Sequence, residues 1–95
     1  MKSISLDSMP IRNEDILEKE VDDGIILYNP NEEKIFSLNN TAAYIWTLCD
    51  GKNTVSNIIN SLKEDFNNIN DGIIDIVKNS IKEMIDNHLV KLKEK

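Results

Sequence analysis

The apolar positions change period once along the chain, at Asn39. Before it they come in short runs: ILEKEV at 16–21, IILYN at 25–29 and KIFSL at 34–38. Asp22-Asp23-Gly24 separates the first two runs, and Asp-Gly between apolar runs is a strong hairpin signal, because both residues tolerate the positive φ of tight strand-linking turns. Asn29-Pro30-Asn31 predicts the second turn, since proline fixes φ and asparagine side chains bond back to the backbone. Residues 16–38 thus read as a three-stranded antiparallel meander with its most apolar strand in the middle.

Beyond Asn39 the period becomes helical. Asn39 or Asn40 can cap a first helix, on which Ala42, Ile45, Trp46 and Cys49 share one face. Gly51 is placed to end that helix in a left-handed conformation. Thr54 caps a second helix, with Val55, Ile58, Ile59, Leu62 and Phe66 as its apolar stripe and Asn67-Asn68 as its break. Asp71 opens a third helix that runs to about Asn87. Its apolar residues, Ile73, Ile74, Ile76, Val77, Ile81, Met84 and Ile85, spread over roughly 180° of the circumference, well beyond what one packing face needs. Either this helix lies between two layers, or part of its apolar surface waits for a partner. LVKL at 89–92 suits a short strand or a docked tail. Residues 1–10 have no period and read as a flexible arm, 11–92 as a single domain, and 93–95 as a tail. The fold class is α+β, a three-stranded antiparallel sheet followed by three helices.

Composition narrows the function classes. A chain of 95 residues suits one core. A net charge of -6 opposes general nucleic-acid binding, which needs Lys and Arg against phosphates. No apolar run approaches membrane-spanning length, and residues 1–10 lack the apolar core of a secretory signal, so a cytoplasmic, non-membrane protein is expected. Cys49 is the sole cysteine and His88 the sole histidine. No internal disulfide or zinc cluster can be built from them. Cys49 reads as a core thiol on the apolar face of the first helix, and His88 as a helix-end residue meeting the terminal carbonyls. The three glycines, Gly24, Gly51 and Gly72, are isolated and each follows an aspartate. They mark turns and caps, not a phosphate loop. Neither an enzyme nor a cofactor or metal site is expected.

The pattern does single out a surface. The first strand of the meander is guarded by Glu18, Lys19 and Glu20, whereas KIFSL carries one charge and then apolar residues around a single Ser. Such an edge must be covered or used. Alternation turns Phe36 and Leu38 inward and leaves Ile35 and Ser37 outward. If the third helix lies beside this strand, edge and surplus apolar surface form a groove for an extended peptide. Cover by the N-terminal arm or by a second copy of the chain is the alternative.

The stretch SLNNTAAYIWTLCDGKNTV closely resembles the signature Leu-Asn-x-Thr-Ala-Ala-x-Ile-Trp-x-Leu-x-Asp-Gly-x-x-Thr-Val of the PqqD-like family. It matches at Leu38, Asn39, Thr41, Ala42, Ala43, Ile45, Trp46, Leu48, Asp50, Gly51, Thr54 and Val55. IIDIVKNSIKEMIDNHLVKL is similar to that family's third helix and closing segment, with His88 where a glycine often stands. The resemblance implies a winged helix-turn-helix-like fold and a non-catalytic role. It further implies binding of the leader of a ribosomally made precursor peptide, as a strand antiparallel to the third, and its presentation to a modifying enzyme such as a radical-SAM enzyme, a cyclase or a leader peptidase. On that reading Lys34, Ile35, Phe36, Ser37 and Leu38 supply the edge. Ile74, Lys78, Ile81, Lys82 and Ile85 are the expected helix wall, where Lys78 and Lys82 would attract acidic leader residues. A winged-helix DNA-binding regulator and an obligate homodimer with a self-paired edge are the competing readings.

Overall fold

The computed structural model describes residues 4–65 and 72–93. In chain order these form β1 (Met9–Arg12), β2 (Leu17–Val21), β3 (Gly24–Asn29), β4 (Lys34–Asn39), α1 (Asn40–Leu48), α2 (Val55–Asp65), α3 (Ile73–Asp86) and β5 (Val90–Lys93). The predicted meander is present as the antiparallel sheet β2-β3-β4. Its register pairs Leu17 with Tyr28 and Tyr28 with Ile35 on one face, and Glu18 with Leu27 and Leu27 with Phe36 on the other. Ile25 and Leu27 are buried, Phe36 and Leu38 pack against the core, and Ile35 is 71% exposed. Gly24 is required by a close approach: a Cβ there would stand 1.8 Å from the Leu38 carbonyl oxygen.

The helix caps follow from the sequence with one shift. The Asn39 side chain accepts from the Ala42 amide at 2.9 Å, and Thr54 Oγ1 accepts from the Asn57 amide at 3.1 Å. Between these caps α1 stops at Leu48, with Cys49 as its C-cap. Gly51 therefore does not itself end the helix. It adopts φ +76 two residues further on, where its amide donates to the Pro10 carbonyl at 3.0 Å. At the far end of α3, the Leu89 amide donates to the Met84 carbonyl at 2.8 Å and the His88 amide to the Ile85 carbonyl at 3.0 Å. This is a Schellman closure, with His88 at φ +62 in the position glycine usually holds. The expected roles of Phe66, Asn67, Asn68 and Asp71 fall outside the described residues.

The chief departure is at the N-terminus. Residues 4–10, expected within a flexible arm, are docked. Ile4 and Pro10 are buried, and β1 pairs with β5 in a separate antiparallel sheet running from Met9↔Lys93 to Arg12↔Val90. The Val55 and Ser56 amides, which have no partner inside α2, donate to the Ser8 carbonyl at 2.9 Å and the Leu6 carbonyl at 3.0 Å. Arg12 Nη1 serves the opposite pole of α1, donating to the Trp46 carbonyl at 3.1 Å and the Thr47 carbonyl at 2.7 Å. Backbone bonds of this kind leave no hydrophobic period, so the segment is silent to a periodicity reading.

Trp46, Leu27, Ile45, Ile58, Leu62, Ile81 and Leu89 are the largest fully buried side chains. Trp46 Nε1 donates to Glu18 Oε2 at 2.6 Å, which gives the indole a partner at the inner face of β2.

Candidate functional site

β4 is bonded to β3 on one side only. Alternate residues of Lys34–Asn39 therefore turn their N–H and C=O groups away from the sheet. Among the described residues nothing pairs with that free side, and the N-terminal segment offered as a cover lies instead on β5.

α3 runs beside this edge, and two adjoining hollows lie between them. One, of about 150 Å³, reaches down to Phe36, Leu38, Met84 and Leu89. The other, of about 420 Å³, opens toward Asn39, Thr41 and Ile76. Ser37, Leu38, Ser80 and Glu83 border both. The helix wall is thus Ile76, Ser80, Glu83 and Asn87, which at about 100° per residue form one stripe.

Of the site residues expected from the sequence, the structure brings those of β4 to these hollows and sets those of α3 elsewhere. Phe36, Ser37 and Leu38 line the groove, and Lys34 and Ile35 continue the edge at its start. Ile81 is 0% exposed and belongs to the core, so it has no surface to offer. Ile74, Lys78, Lys82 and Ile85 lie at roughly 180° from the groove-facing stripe. Ile85 borders a different hollow, near Asn13, His88 and Val90, and Lys82 pairs with Asp86 at 3.6 Å. The reason is tertiary. The core takes Ile73, Val77, Ile81 and Met84, leaving Ile76 on one shoulder of the helix and Ile74 with Ile85 on the other. The wide apolar arc signalled two shoulders without saying which faces β4.

The charges of the groove are few. Among the described residues lining the two hollows, Glu83 alone is charged. Near the start of β4, Glu32 stands 3.7 Å from Lys34 Nζ and 2.5 Å from His88 Nδ1. The hydrogen bond to His88 holds the Glu32 carboxyl below its usual range, with the nearby His88 and Lys34 charges adding to the effect. His88 was expected to meet helix-end carbonyls. Its ring instead ties the turn before β4 to the end of α3, while its own carbonyl accepts from Asn13 Nδ2 at 3.0 Å.

Cys49 is 0% exposed, and burial pushes its thiol up to about 12. Its Sγ donates to the Ile45 carbonyl at 3.2 Å. The side chain is therefore a protonated core thiol at neutral pH. A further hollow of about 420 Å³ lies over Arg12, Glu18 and Trp46. There the Arg12 guanidinium sits 5.9 Å from the indole centroid and is already engaged with α1 carbonyls. Among the described residues, no helix is long and apolar enough to cross a membrane.

Comparison with known proteins extends this picture. The sequence model of the family described as Coenzyme PQQ synthesis protein D (PqqD) matches residues 24–90, from the first residue of β3 to the first of β5. No curated protein matches in sequence. TbiB1, solved in complex with the TbiA(beta) leader peptide, superposes with a TM-score of 0.76 at 12% identity, covering 90% of this chain and 99% of that one. Lasso peptide synthetase B1, complexed with the leader peptide, superposes with a TM-score of 0.75 at 14% identity, covering 87% and 98%. At such identities the two share the fold of this chain.

Proposed function

The chain belongs to the PqqD family, and from that premise we propose that it is a non-catalytic peptide-binding module. The leader of a ribosomally made precursor adds as a strand along β4, in the groove beside α3, and is thereby presented to a modifying enzyme. A radical-SAM enzyme, a cyclase and a leader peptidase all suit that role. The observation that carries the reading is the free edge Lys34–Asn39 beside a groove floored by Phe36, Leu38 and Met84, in a fold shared with two proteins solved with leader peptides. Strand addition draws affinity from backbone bonds and selectivity from alternate side chains. A few backbone bonds contribute about 0.5–1.5 kcal/mol each. Two or three buried side chains add about 1.5–3 kcal/mol each. After ordering costs this reaches micromolar affinity.

Titration of isotope-labelled protein with the leader of its cognate precursor tests the reading. Amide shifts at residues 34–39 and at Ile76, Ser80, Glu83 and Asn87 are expected. Shifts confined to other surfaces overturn it.

A further inference from the structure

Glu83 breaks a local rule. It lies in the last turn of α3, where the helix dipole is negative and carboxylates are disfavoured, and that turn holds no basic residue. The neighbouring acid, Asp86, is compensated by Lys82 one turn back. Glu83 has no ion pair among the described residues. Yet its side chain borders both hollows of the groove. The residues around it, Ser37, Asn39, Thr41, Ser80 and Asn87, are neutral, so no cation in the groove answers its charge. A helix end and an uncompensated carboxylate therefore combine into a negative potential at one point of a partly apolar trough. Departures from local electrostatic sense of this kind concentrate where a ligand completes the arrangement.

We infer that the groove selects a peptide strand carrying Lys or Arg two positions from an aliphatic or aromatic residue, with the basic group on Glu83 and the apolar side chain in the hollow over Phe36, Leu38 and Met84. The inference rests on the peptide-binding reading and adds the chemistry of its ligand. The spacing follows from the pleat: residues i and i+2 of an added strand face the same side, about 7 Å apart. The smaller hollow, about 150 Å³, is of the size that holds one benzene-like group, and so suits a single Leu, Ile or Phe side chain. The overall charge of -6 favours approach of a basic segment. The sign is opposite to that expected from Lys78 and Lys82, because those residues lie on the far shoulder of α3.

The test is a display library of random linear dodecamers selected against the full chain and against Glu83→Lys, with Glu83→Gln as the milder variant. Position 83 lies on exposed surface, so folding is retained, as circular dichroism will verify. Selection on the unaltered chain is expected to enrich Lys or Arg at the second position from an apolar residue. With Glu83→Lys the basic preference is expected to give way to Asp or Glu while the apolar preference persists. A synthetic basic hit should bind Glu83→Gln about two- to fivefold more weakly, the range for a partly solvated charge pair. Hits that shift amides 34–39 but show no basic enrichment overturn the inference and leave the groove standing. Hits that shift amides elsewhere, or a selection that enriches nothing, overturn both.

Discussion

Tyr44 of α1 and Cys49 at its C-cap hold their protons more tightly than free groups do. Burial pushes the Cys49 thiol from 9.0 up to about 12, and the Tyr44 hydroxyl, which donates to Asp65, rises from 10.0 to about 12. Between those limits the unfolded chain has released protons that the folded chain retains, so stability is full below pH 9 and falls as pH rises toward 12. Each group contributes a slope of up to about 1.4 kcal/mol per pH unit. Cys49 dominates, because solvent screens the exposed Tyr44–Asp65 pair. Urea unfolding between pH 8 and 10.5, followed by Trp46 fluorescence, is expected to show this decline, and Cys49→Ala to flatten it even though lost packing lowers the whole curve. An unchanged slope in the variant would refute the assignment. His88 supplies the opposite kind of prediction. Its left-handed backbone at φ +62 costs a non-glycine residue about 1 kcal/mol or more, while its pair with Glu32 is solvent-exposed. His88→Gly is therefore expected to raise stability by about 1 kcal/mol in urea unfolding. A drop would mean that the link between the β4 turn and α3 outweighs the backbone strain.

At the scale of elements, the meander and helices were legible because their signals are local. Asp-Gly and Asn-Pro-Asn placed the turns, Asn39 and Thr54 the caps, and alternation in KIFSL put Phe36 and Leu38 inside with Ile35 out. The face of α3 was not legible, because seven apolar residues on one helix overdetermine it. Only packing decides that Ile73, Val77, Ile81 and Met84 enter the core and that Ile76 rather than Ile74 borders β4. The two walls make different demands on binding. Ile76 is 47% exposed, so Ile76→Ser leaves folding nearly intact and removes part of the apolar contact, weakening leader-peptide binding about three- to tenfold. Lys82→Gln changes a side chain that pairs with Asp86 on the far shoulder. Calorimetric titration of both variants with one peptide decides between the walls. Loss with Ile76→Ser and retention with Lys82→Gln supports the stripe Ile76-Ser80-Glu83-Asn87, and the reverse result restores the wall drawn from the sequence.

The whole molecule is closed by its ends. β1 and β5 carry no alternation strong enough to announce a sheet, and LVKL was readable only as a short strand or docked tail. Their pairing joins residues about eighty positions apart, which a local pattern cannot encode. The closure nevertheless anchors two helices and part of the core. Ser8 and Leu6 carbonyls receive the first amides of α2, Arg12 takes the last carbonyls of α1, and Ile4 and Pro10 fill core positions. Removing residues 1–12 strips all of these and bares Val90, which is 3% exposed in the intact chain. Two buried side chains alone account for about 3–6 kcal/mol, a large share of the 5–15 kcal/mol typical of a domain. A chain beginning at Asn13 is thus expected to unfold at much lower urea or to be unfolded outright. Peptide binding separates this scaffold role from a direct one, because the groove is lined by β4, α1 and α3 and not by residues 4–12. Affinity corrected for the folded fraction should therefore match that of the full chain. A loss beyond that fraction would show that the N-terminal segment reaches the ligand, and would return it to the part of a strand-edge cover that its pairing with β5 argues against.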